Sequence, residues 1–104
     1  MGRGLSDLQR WILRQTCKRG QLEYADIRRD YFGWKSKQQD KQLRERYSPQ
    51  DIGEDEYNRV MATISRSCRR LEARGLITLE GYAPYLKWIK PTKSGRDLDG
   101  AQDD

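Results

Sequence analysis

The stretch ISRSCRRLEARGLITLEG, residues 64–81, constrains this chain more than any other. Apolar residues recur at helical spacing up to Leu71, Gly75 closes the helix, and Leu76-Ile77-Thr78-Leu79-Glu80 follows directly as a strand entering a glycine turn. A helix and a strand separated by a single glycine imply a mixed fold in which the two pack on each other. Upstream, Tyr57, Val60, Met61, Ile64, Cys68 and Leu71 share one face at about 100° per residue. The spacing therefore predicts one long helix over about residues 54–74, with Glu54, Asp55 and Glu56 at its positive end. Downstream, residues 81–85 read as turn material and residues 86–90 as an antiparallel return strand. Pro91 ends that strand, and residues 92–98 are expected to add a last helical turn.

The first half carries two further helices. Ser6-x-x-Gln9 is a capping box, and Leu5, Leu8, Ile12 and Thr16 then fall on one stripe flanked by Trp11 and Leu13. With Lys18 and Arg19 at its negative end and Gly20 as a stop, a first helix is expected over about residues 6–18. Residues 21–23 read as a small edge strand. A second helix is expected over residues 24–32, with Ala25, Ile27, Tyr31 and Phe32 as its apolar residues and Gly33 as its end. Residues 35–46 are polar, with Leu43 as their only aliphatic residue, and read as a mobile loop or a solvated helical extension. Ser48-Pro49-Gln50-Asp51 reads as a helix start or tight turn that Gly53 cuts short. The fold class is thus α+β: three packed helices and a two- or three-stranded hairpin sheet, one domain over 1–98 with a charged insert at about 34–53. An acidic tail over 99–104 is expected to be disordered.

Charge narrows the class of partner. Net charge is +5, but residues 97–104 hold four aspartates and no base, which leaves +9 on residues 1–96. A body this basic favours polyanions, nucleic acid first and an acidic membrane second. No run of about 18 apolar residues is present and no apolar leader opens the chain, so a cytoplasmic protein is expected with no membrane role. Histidine is absent, and Cys17 and Cys68 have no metal-ligand spacing. Cys68 belongs to the buried stripe. Cys17 lies beside Lys18 and Arg19, which would lower its pKa. With no histidine, no phosphate-binding glycine loop and scattered acids, neither catalysis nor a cofactor is expected.

Opposite Ile64, the 3.6-residue period projects Arg59, Ala62, Ser65, Arg66 and Arg69 outward, with Thr63 and Arg70 on one flank. Small residues let such a helix approach DNA closely, and arginines fork onto guanine edges or phosphates. An ordinary solvated helix face has the same look. Tyr82, Tyr85 and Lys87 on the hairpin are suited to bond phosphates, or else simply pack there. Trp11, Trp34 and Trp88 are expected to be structural.

These residues resemble the winged helix-turn-helix domains of MarR-like and related prokaryotic transcriptional regulators. The resemblance rests on Leu71, Gly75, Leu76 and Ile77 at the end of the long helix, and on Pro91-Thr92-Lys93-Ser94-Gly95 after the hairpin. It covers about 5–33 and 54–98. It implies that Ala62, Thr63, Ser65, Arg66 and Arg69 contact DNA from a recognition helix, and that Tyr82, Tyr85 and Lys87 contact it from the wing. The chain departs from that pattern in three places. About 20 residues, 33–53, stand where the family has a short turn. The long helix starts with three acids. There is no room for long dimerisation helices, although a homodimer stays open. The expected function is non-enzymatic binding of double-stranded DNA in transcriptional regulation. The alternatives are a protein-interaction winged helix that binds a partner protein, or a single-stranded nucleic-acid binder that uses the aromatics.

Overall fold

The structure, a computed structural model, describes residues 4–35, 38–39, 45–46, 49–83 and 86–102. Helix α1 (Asp7–Arg19) is followed by strand β1 (Leu22–Glu23), helix α2 (Tyr24–Asp30) and the short strands β2 (Gln38–Gln39) and β3 (Glu45–Arg46). Then come a one-turn helix α3 (Pro49–Ile52), the long helix α4 (Glu54–Ala73), strands β4 (Ile77–Ala83) and β5 (Leu86–Pro91), and helix α5 (Lys93–Gln102). The class is α+β, with five helices and a three-stranded antiparallel sheet of order β1-β5-β4 among the described residues. None of these helices is long and apolar enough to cross a membrane.

The capping box sets the start of α1. The Gln9 amide donates to Ser6 Oγ at 3.2 Å, and Gln9 Oε1 accepts from the Ser6 amide at 2.9 Å. Helix α2 opens with a related bond, the Glu23 amide donating to the Asp26 carboxylate at 3.0 Å. It ends at Asp30, two residues short of expectation. Tyr31 consequently leaves the core face, is 39% exposed, and meets Trp11 and Phe32 edge to face. Trp34 is buried and stacks on Tyr57 at 5.5 Å. Trp11 and Trp88 are half-buried.

Helices α1 and α4 pack on the inner face of the sheet. Ile12 and Leu13 of α1, Ile64 and Leu71 of α4, Leu22 of β1 and Ile89 of β5 are wholly inaccessible. Leu22 pairs with Ile89, which pairs with Leu79 on its other side, so one face of the sheet lies on this core. Period-2 alternation turns Thr78, Glu80, Trp88 and Lys90 to the other face, where Lys90 reaches Glu80 at 2.9 Å.

Three expectations need correction. Within residues 35–46, read as loop or helix, Gln38–Gln39 and Glu45–Arg46 form an antiparallel pair. With Leu43 the only aliphatic residue, no alternating pattern announces strands there, and the pairing is one of backbone bonds. The turn expected over 81–85 is shorter, since β4 continues to Ala83 through a register irregularity after Glu80. The tail expected to be disordered from residue 99 is helical through Gln102. Its charges have partners: Asp99 lies 3.7 Å from Arg14 of α1, and Asp97 lies 3.7 Å from Lys93.

The end of α4 and the start of α5 are joined. Gly75, at φ +74°, takes the left-handed conformation that ends α4, with the Leu76 amide donating to the Leu71 carbonyl and the Gly75 amide to the Glu72 carbonyl. Thr92 Oγ1 donates to the Gly75 carbonyl at 2.6 Å and accepts from the Gly95 amide at 3.0 Å, which caps α5. The Thr92 amide also donates to the Leu76 carbonyl at 3.2 Å. Gly95 is what allows this approach: a Cβ there would lie 2.0 Å from the Leu76 carbonyl oxygen and 3.2 Å from Leu13.

The close approach at Gly95 is open to a direct test. Gly95→Ala forces α5 off the Leu76 carbonyl and is expected to cost about 1–3 kcal/mol or more. Urea unfolding followed by circular dichroism measures it, and a variant as stable as the parent would contradict the close approach. A second prediction concerns Asp30, whose carboxylate accepts from Arg29 at 2.8 Å and from Arg19 at 3.0 Å. Those bonds, Arg29's above all, hold its pKa at about 2, below the ordinary 3.8. A lowered folded pKa means that the stabilisation is full above about pH 4 and fades as pH falls towards 2. Because the cluster is partly exposed, its size is expected to stay below about 1 kcal/mol. Melting curves of parent and Asp30→Asn should therefore differ near neutral pH and converge in acid; a gap that persists at pH 2 would refute the assignment.

Candidate nucleic-acid interface

Helix α4 divides its sequence between two faces. Val60, Ile64, Cys68 and Leu71 are buried against the core, each 1% exposed or less. On the opposite side Arg59, Ala62, Arg66, Arg69 and Arg70 are exposed, and Thr63 and Ser65 are half-exposed. All seven expected residues of this helix thus reach the surface, with Ser65 at the edge of the face. Ala62 keeps the middle of the face shallow between the arginines.

The arginines differ in what already holds them. Arg59 forms an ion pair with Glu56, one turn back. Arg66, Arg69 and Arg70 make no ion pair or hydrogen bond with any described side chain, although their neighbours Arg59 and Thr63 do. Thr63 is less free than its spacing suggests, since its hydroxyl donates to the Arg59 carbonyl at 2.8 Å within the helix. The hydroxyl oxygen keeps its lone pairs, so Thr63 can accept a bond but not donate one without breaking that contact.

The hairpin residues are placed only in part. Tyr82 lies in β4 and Lys87 in β5, where the backbone is described; Tyr85 lies outside the described residues. The fold adds two bases that the periodicity did not single out. Arg74 precedes Gly75, and Lys93 follows Thr92, so the Thr92–Gly75 bond brings both to the C-terminal end of α4. Both are exposed, Lys93 with 93% of its side chain accessible. The Thr92 and Gly75 positions were legible as signals of fold, but nothing in their spacing announces a 2.6 Å contact across 17 positions.

The cysteines are not reactive centres. Burial, above all, raises the Cys68 thiol to about 12, despite a hydrogen bond with Tyr24 that favours the thiolate. Burial also raises the Tyr24 hydroxyl. Cys17 is a correction: its pKa is raised rather than lowered. Partial burial is the main cause and the Asp99 carboxylate of α5 adds to it, with Arg96 opposing. Arg19 is turned away to Gln15 and Asp30. Among the described residues no group of acids and thiols has the arrangement of a metal site.

Comparison with protein-family models, with curated proteins and with solved structures returned no match for this chain.

The thiol environments give a direct expectation. At pH 8, iodoacetamide should label Cys17 more slowly than an unstructured thiol and should reach Cys68 only after unfolding. Mass spectrometry of the native and urea-treated protein tests this, and rapid native labelling of Cys68 would contradict its burial.

Proposed function

We propose that this chain binds double-stranded DNA as a winged helix-turn-helix protein, in transcriptional regulation. The observation that carries the reading is the exposed face of α4, where Arg66, Arg69 and Arg70 stand without ion-pair partners among the described residues, beside the small Ala62. Two features of the architecture support it. The element order α1-β1-α2-α4-β4-β5 with a β1-β5-β4 sheet is compatible with a winged-helix layout. The hairpin also leaves the C-terminal end of α4 directly, in the place of a wing.

In this reading α4 enters a major groove, which admits one helix. Arg66 and Arg69 fork onto guanine edges or clamp phosphates; Ala62 and Ser65 allow close approach; Thr63 and Arg70 meet the backbone. Tyr82, Tyr85 and Lys87 of the wing and the basic 35–46 segment add backbone contacts. A protein-interaction module is the second reading, favoured by one observation: the first turn of α4 carries Glu54, Asp55 and Glu56, which repel phosphate.

Fluorescence anisotropy with a labelled duplex of mixed sequence, titrated across salt, separates the two. DNA binding predicts affinity that falls steeply as salt rises. Arg66→Ala is expected to weaken a specific complex by about 1–3 kcal/mol where the arginine pairs with guanine. Unchanged binding by both Arg66→Ala and Arg69→Ala would remove α4 from the interface, and no duplex binding at low salt would leave the protein-interaction reading.

A further inference from the structure

The charge on α4 is divided along its axis as well as around it. Its first turn holds Glu54, Asp55 and Glu56, and the first base beyond them, Arg59, is ion-paired to Glu56. Asp51 of α3 stands just ahead of that turn. From residue 66 to 74 the helix and its cap hold Arg66, Arg69, Arg70 and Arg74 against one acid, Glu72. Asp55 and Arg70 are separated by about 22 Å at 1.5 Å per residue. Screening at physiological salt acts over roughly 8 Å, so the two ends are electrically independent for a ligand in solvent. A polyanion is therefore drawn to one half of this helix and repelled by the other.

The basic end is larger than the helix. The Thr92 Oγ1 to Gly75 carbonyl bond holds the start of α5 at the end of α4, and this sets Lys93 next to Arg74. The N-terminal pole of α5 faces the same junction and adds the partial positive charge of its first amides. Lys90 of the hairpin is already neutralised by Glu80. The surplus positive charge thus centres on the junction and the last two turns of α4.

Building on the duplex-binding reading, we infer that DNA lies against the C-terminal half of α4 and the α4–α5 junction, with Arg66, Arg69, Arg70, Arg74 and Lys93 on its phosphates and base edges. The acidic first turn stands clear of the duplex. Arg59, held by Glu56, belongs to the part that stays in solvent. The acids at residues 54–56 then set the polarity of docking, because the reverse placement would press three carboxylates onto phosphate.

Two groups of exposed-charge variants test this in the same salt titration. One is Arg70→Gln/Arg74→Gln/Lys93→Gln; the other is Glu54→Gln/Asp55→Asn/Glu56→Gln, with Glu56→Gln alone as a milder form should the triple change weaken the helix start. Circular dichroism melts establish that each is folded. The basic-end variant is expected to flatten the slope of log affinity against log salt by about 0.9 for every phosphate that it no longer neutralises. The acidic-end variants are expected to shift affinity by less than about twofold, because their charges sit more than a screening length from the duplex. Tightening of tenfold or more in the acidic-end variants, with the basic-end slope unchanged, would overturn the inference and put the helix start in the groove while leaving duplex binding intact. A parent protein whose duplex affinity does not respond to salt would overturn both.

Discussion

One hydroxyl ties the described elements into a single arrangement. Thr92 Oγ1 donates to the carbonyl of Gly75 and accepts from the amide of Gly95, so it closes the end of α4 and opens α5 at once. Both groups would otherwise be unsatisfied backbone atoms at a helix end, and leaving such groups buried without partners costs about 1–3 kcal/mol each. The geometry works only because two glycines flank it. Gly75 supplies the left-handed turn that sends the chain from α4 into β4, and Gly95 lets the first turn of α5 approach the Leu76 carbonyl. The position of the hairpin relative to α4, and of Lys93 relative to Arg74, follows from that joint.

The parts of the fold that could be read from sequence are those where two independent signals coincide. Helix α1 has a capping box, an apolar stripe and a terminal glycine, and its observed bounds differ from expectation by one residue at each end. Helix α4 has the apolar face Val60-Ile64-Cys68-Leu71 and a glycine stop, and its buried residues are the expected ones. Where only one signal was present, the reading failed. Tyr31 and Phe32 were assigned to α2 from apolarity alone, whereas that helix ends at Asp30 and the aromatic pair turns outward to meet Trp11. Acidic composition alone suggested a disordered tail, but Asp99 has Arg14 opposite it on α1, a partner 85 positions away in the chain.

The candidate site divides along the same line. Helical periodicity places a side chain around a helix, so the outward projection of Arg59, Ala62, Arg66, Arg69 and Arg70 was legible. It says little about what each side chain is already bonded to. The ion pair from Arg59 to Glu56 and the internal bond from Thr63 to the Arg59 carbonyl distinguish residues that spacing alone treats as equals. Nor can it bring Lys93 beside Arg74, because that neighbourhood is made by tertiary contact.

Stability alone accounts for some of the charges on α4 but not for all of them. Glu54, Asp55 and Glu56 oppose the positive pole of the helix, and Arg70 and Arg74 oppose the negative pole, each contributing about 0.3–1 kcal/mol. That effect is confined to the first and last turns. Arg66 lies two turns before the helix end and Arg69 just short of the last turn, neither has an ion-pair partner among the described residues, and both add to a body that already carries surplus positive charge. Mutual repulsion makes such an arrangement mildly unfavourable in the isolated protein. A polyanion reverses that sign, because each bound phosphate relieves the repulsion and releases a condensed counterion as well. The placement of Arg66 and Arg69 is therefore better explained by a ligand than by the fold, and among ligands it is better explained by one with closely spaced negative charges than by a single anion.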